Sequence, residues 1–67
     1  MKTVIVKKEI VARCDYSVSL LENGLHKERH EFRGDAGEAA AQALYLSSRN
    51  CACKIIAAKE IMDIIGA

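Results

Sequence analysis

The sequence predicts an α+β fold: a small antiparallel sheet of three or four strands, order β-β-β-α-β, with one Ala-rich helix (about 35–49) packed on one face. Three observations carry this. Residues 3–21 alternate apolar with polar, Asn23-Gly24 interrupts the pattern where a hairpin needs a turn, and Gly34–Asn50 has the composition and capping of a helix.

The even positions from 4 to 20 are Val4, Val6, Lys8, Ile10, Ala12, Cys14, Tyr16, Val18 and Leu20, apolar except for Lys8. The odd positions are mostly polar, as in a strand with one buried face. A straight strand of this length would reach about 60 Å at ~3.3 Å per residue, too far for so small a domain. The chain therefore breaks or bends sharply near Arg13–Asp15, where Asp15 is a good turn former.

Glu22-Asn23-Gly24-Leu25 reads as a type I′ hairpin turn. The returning strand, Leu25–Arg33, is polar on both faces except at its ends, as suits a sheet edge. Two registers compete here. A two-residue loop pairs Glu22 with Leu25 and puts Tyr16 opposite Glu31. A three-residue loop with Gly24 in a bulge sets even positions opposite even and brings Tyr16 or Cys14 to Phe32.

Asp35 stands at an N-cap position with Glu38 three residues on, the spacing of a capping box. Ala36, Ala39, Ala40, Ala43, Leu44 and Ser47 share one helical face. That face is small, so it offers close approach to a sheet more than apolar area. Of the bulky run Leu44-Tyr45-Leu46, at least one side chain must point away from the core, and Tyr45 is expected to cover the rim of the sheet. Asn50 is expected in the left-handed conformation past the helix end. The tail admits two readings: a last strand, favoured by Ile55-Ile56 and by its likeness to Val4–Val11, or a second helix at 54–65.

The hairpin followed by the Gly-Asp-x-x-Glu-Ala-Ala-x-x-Ala-Leu helix, from Tyr16 to Leu46, resembles the latter half of a double-stranded-RNA-binding domain. That family's first helix is missing here. The basic cluster that opens its last helix is replaced by Asp35, Gly37 and Glu38, where negative charge repels phosphate. What the resemblance implies is shared helix-on-hairpin packing.

Residues 1–67 make a single domain close to the lower size limit for a self-sufficient core, which favours a homodimer. Net charge is +1, giving no global footprint for nucleic acid or acidic lipid. No apolar run spans a membrane, the N-terminus lacks a signal-peptide pattern, and the odd number of cysteines, three, indicates reduced thiols and a cytoplasmic location. Cys51-x-Cys53 lacks the spacing of a zinc site, and His26 and His30 on one strand stand about 13 Å apart, so no metal or other cofactor is expected. There is no phosphate loop and no nucleophile with a base beside it, which argues against an enzyme.

The functional expectation is a small non-enzymatic module that binds another protein, of the accessory inhibitor or regulator type found in phages and mobile elements. Its candidate surface comprises Ile5, Val11, Leu21, Lys27, Arg29, Arg33 and Tyr45. The alternative is a nucleic-acid-binding protein that uses the charged strand 26–33.

Overall fold

A computed structural model describes residues 1–51 and 54–66. Strands β1 (Lys2–Val11), β2 (Cys14–Glu22) and β3 (Leu25–Phe32) are followed by helix α1 (Ala36–Asn50), strand β4 (Lys54–Ile56) and helix α2 (Lys59–Ile65). The four strands form one sheet in the order β3-β2-β1-β4. The expected α+β class and the single Ala-rich helix on one face are both present.

The alternating segment folds as two strands. Val11 pairs with Cys14 across a turn at Ala12 and Arg13, slightly ahead of the expected break. Asp15 does not make that turn; its Oδ2 accepts a hydrogen bond from the Gly34 N–H at 3.0 Å, fixing where the chain leaves β3. Between the Lys8–Tyr16 and Val11–Cys14 pairs, Glu9 and Ile10 oppose Asp15 alone, so a bulge ends the regular ladder. Lys8, Ile10 and Ala12, expected on the buried face, are exposed, Ile10 at 95%, where the bulge breaks the regular alternation of the two strands.

The hairpin between β2 and β3 resolves its competing registers by using both. Asn23 (φ 54°) and Gly24 (φ 84°) adopt the left-handed pair of a type I′ turn, and Glu22 pairs with Leu25. Asn23 also receives the N-terminal ammonium on its Oδ1 at 2.8 Å, which holds the end of β1 beside the turn. Between Leu21–His26 and Leu20–Glu28 the register slips by one, with Lys27 as the extra residue. Beyond that bulge even positions oppose even ones, and Tyr16 pairs with Phe32, their rings 6.2 Å apart and nearly parallel.

Helix α1 begins as the capping pattern requires, with Asp35 Oδ1 accepting from the Glu38 N–H at 2.9 Å. Its buried residues are Ala39, Ala40, Ala43 and Leu46. Leu44, expected inward, is 46% exposed, because the inward stripe continues from Ala43 to Leu46. At the far end the left-handed residue is Cys51 and not Asn50, which is the last helical residue and whose side-chain amide donates to the Leu46 carbonyl.

The tail contains both of its expected elements in sequence. Ile55-Ile56 form the short β4, and α2 follows from Lys59. The pairing of β4 with β1 is parallel, which makes the sheet mixed and not wholly antiparallel. The cause is topological: α1 carries the chain back across the sheet, so β4 restarts in the direction of β3, which is also that of β1. A seven-residue helix is unstable alone, and Ile61 anchors α2 with 1% exposure. The core combines Val4, Val6, Tyr16, Val18 and Leu20 of the sheet with the α1 stripe and Ile61. The described residues form two layers, the sheet and the helices on one of its faces, within extents of 31 × 27 × 17 Å.

Two outcomes check this account. Ile61→Ala is expected to cost about 2–4 kcal/mol by the large-to-small rule, measured by urea denaturation. Deleting Lys27 is expected to give a chain that still melts cooperatively, since the two-residue turn then meets the Tyr16–Phe32 register without a bulge. Loss of the Tyr16–Phe32 contact in its NMR spectrum would contradict that reading.

Candidate interaction surface

The register of the strands defines what the helix leaves uncovered. Residues directly opposite one another share a face. On the side away from α1, His26, Leu21, Thr3 and Lys54 form one row across the sheet. The next row is Arg29, Ser19, Ile5 and Ile56, and the third is Glu31, Ser17 and Lys7. Leu21 and Ile5 lie on neighbouring strands in adjacent rows, and Ile5 faces Ile56 directly. These three make an apolar strip, with Ile56 44% exposed. Ile56 was not among the expected surface residues, because only the pairing of β4 with β1 brings it there.

The β2–β3 half of this face is covered by the protein's own charges. Glu9 Oε1 accepts from Ser17 Oγ at 2.8 Å and from Arg29 Nη2 at 3.2 Å. Arg29 Nη2 also reaches Glu31 Oε2 at 3.4 Å, and Arg13 Nη2 meets the same oxygen at 3.2 Å. Under this lattice Ser17 and Ser19 are buried. Cys14 is buried too, outside the main core cluster, and its thiol lies 3.6 Å from Glu31 Oε2. Burial and the Glu31 carboxylate both push that thiol up, so it stays protonated and unreactive at neutral pH.

The carboxylates respond in the opposite direction. The Ser17 hydroxyl and then Arg29 hold Glu9 below its ordinary value, and His30 and then Arg49 do the same for Glu28. For Glu31, burial pushes upward, but Arg13, Arg29 and the Cys14 thiol together outweigh it and the net shift is down.

The remaining expected residues do not join this face. Val11 sits beside Ile10 at the β1–β2 hairpin tip. Lys27 occupies the bulge of β3 and Arg33 lies just past its end. Tyr45 is on α1, on the other side of the sheet, where with Val18, His30, Gln42, Leu46 and Arg49 it lines a cavity of about 60 Å³. Tyr45 is 62% exposed there, with the Arg49 guanidinium 5.5 Å from its ring centre. Arg49 also donates to Glu28, whose Oε1 lies 3.1 Å from His30 Nε2. Tyr45 was an expected surface residue and His30 belongs to the charged strand 26–33, but Val18, Gln42, Leu46 and Arg49 carried no signal as a site in the sequence, since the six meet only when α1 is laid beside β3.

Among the described residues no three His, Cys, Asp or Glu side chains gather as a metal site. Cys51 is free and exposed, and Cys53 of the Cys51-x-Cys53 pair lies outside the described residues. Among the described residues no helix is long and apolar enough to cross a membrane. The chain matches no protein-family model, no curated protein and no solved structure.

The charge lattice predicts a pH dependence. Glu9, Glu28 and Glu31 are all depressed, so each contributes stability that is present above its unfolded value of about 4.3 and is lost as pH falls through the lower folded value. Urea midpoints measured from neutral pH to about pH 3 should decline through this window. Glu9→Gln should make the decline shallower. An unchanged slope in that variant would remove Glu9 from the lattice's contribution.

Proposed function

We propose that this chain is a small non-enzymatic binding module that acts through protein–protein contacts on the uncovered face of its sheet. The observation that carries the reading is the strip of half-buried Leu21 and Ile5 and exposed Ile56, on a face that no helix of the described residues covers. Apolar surface removed from water contributes about 25 cal/mol per Å², and the part of these three side chains still exposed is what an interface would gain. Lys7 and Lys54 flank the strip as a polar rim. The same face suits a second copy, so a homodimer is part of the proposal. A module this small without a catalytic constellation fits the role of an accessory inhibitor or regulator, of the kind phages and mobile elements carry.

The arrangement of charge weighs against the nucleic-acid alternative. Arg29, the centre of the 26–33 strand, is committed to Glu9 and Glu31, and each engaged carboxylate removes a cation from the phosphate count. Lys7 is on β1, separated from β3 by β2 and therefore about 10 Å away, so it does not extend a continuous basic stripe along that strand.

Affinity capture from host lysate, combined with sedimentation of the purified protein, tests the proposal. Ile5→Asp and Leu21→Asp should each keep the circular dichroism of the fold. Both should abolish capture of a partner or convert a dimer to a monomer, with little dependence on salt. Binding that disappears with nuclease treatment and falls steeply with salt, while Ile5→Asp leaves it intact, would replace this reading with nucleic-acid binding.

A further inference from the structure

A second surface, separate from the uncovered face, lies between α1 and the outer edge of the sheet. Strand β3 is the longer of the two edge strands, eight residues against three for β4, and among the described residues no strand pairs with its outward side. Helix α1 packs mainly on β1, β2 and α2. Its Gln42, Tyr45 and Arg49 stand as a wall along β3, and the floor between wall and edge is apolar, made by the buried Val18 and Leu46. A free strand edge beside a helix-walled cavity with an apolar floor and a polar rim of His30, Gln42 and Arg49 is a geometry that accepts an added strand: backbone hydrogen bonds supply affinity and alternate side chains enter the cavity.

The charges select the occupant. Both β3 carboxylates are already engaged, Glu28 by His30 and Arg49, and Glu31 by Arg13 and Arg29. The side chains of Lys27 and Arg33 make no hydrogen bond or ion pair with any of the described residues. The edge therefore presents uncompensated positive charge. A second copy of β3 would bring the same cations against it, and a nucleic-acid backbone would leave the apolar floor of the cavity and the strand's outward carbonyl groups unmatched.

We propose that the β3 edge captures an extended, acidic segment of a partner protein as a fifth strand. Residues of that segment opposite Glu28, His30 and Phe32 lie on the helix side, and an aliphatic one beside His30 drops its side chain into the cavity. Residues opposite Arg29 and Glu31 lie on the other side, where carboxylates at either end of the segment reach Lys27 and Arg33.

The probe is a blocked peptide of alternating valine and glutamate, as long as β3, titrated into the isotope-labelled full chain. Chemical-shift changes and slowed amide exchange are expected in β3, with shifts in the residues that line the cavity. Lys27→Glu combined with Arg33→Glu should weaken binding about tenfold, an effect that added salt mimics. Gln42→Trp, at an exposed helix position, should block the cavity with a similar loss while the spectrum of the fold is kept. Because both variants sit on the surface, circular dichroism separates a binding defect from unfolding. Three results would each overturn the proposal. One is unchanged exchange of the β3 amides at saturating peptide. Another is equal binding of an alternating valine–lysine peptide. The third is protection of β3 that grows with protein concentration and needs no peptide, which would assign the edge to self-pairing. The Ile5→Asp variant should bind the probe as the wild type does, so failure here and failure at the uncovered face remain distinguishable.

Discussion

The close approach of α1 to the central strands is the contact on which the rest of the architecture depends. Ala39, Ala40 and Ala43 have almost no side chain to interpose, so the helix backbone comes down nearly onto Val4, Val6, Val18 and Leu20. A Leu-rich stripe would hold the helix farther off and bury more area of its own. Here the larger contributions come from the ends, from Leu46 on α1 and from Ile61, which α2 folds back against it. A narrow lid of this kind covers the middle of the sheet. It leaves the β3 edge open on the helix side and does not reach the other face, where Leu21, Ile5 and Ile56 lie beside the charge-covered half of the sheet, so both proposed surfaces follow from how little of the sheet it spans.

Central strand β2 reconciles demands that conflict along the sequence. Its turn into β3 is set by Asn23-Gly24, whose positive φ values impose a two-residue loop. Its core face requires Tyr16 to meet Phe32, which that loop alone would not deliver. Lys27 absorbs the difference. A long, polar residue is well suited to the place, because the extra residue of a bulge loses its ladder partner and must face water. The bulge at Glu9–Ile10 plays the corresponding part on the other side of β2, and beyond it the tip of the hairpin projects with Ile10 exposed.

The electrostatics divide the chain's many charges into two groups. Some are consumed internally: Arg29, Arg13 and Arg49 bind Glu9, Glu31 and Glu28 and so cover the serines of β2 and tie α1 to the edge strand. Exposed pairs of this sort contribute modestly to stability, but they fix geometry and neutralise an otherwise basic ribbon. Lys27 and Arg33 stand outside these pairings, and it is this remainder, not the raw count of lysines and arginines, that gives the edge its character. The sequence alone does not distinguish Arg29 from Arg33, since which acid lies within reach depends on strand register.

Local signals in the chain were sufficient for much of the fold. The Asp35 cap, the Ala-rich helix, the Asn23-Gly24 turn and the alternation through β1 and β2 act within a few residues of one another, so they survive as patterns in one dimension. The place of Ile5 and Leu21 on the outer face follows from the same periodicities. The tail was legible only as a conflict, because Ile55-Ile56 and the segment from Lys59 to Ile65 carry different preferences, and both are realised in turn. What the tertiary structure alone decided is which strands became neighbours. Parallel pairing placed β4 against β1 and put Ile56 beside Ile5, and the slip at Lys27 chose the partners of every residue beyond it. Contacts between segments some fifty residues apart depend on the path of α1 across the sheet, and no short-range preference encodes that path.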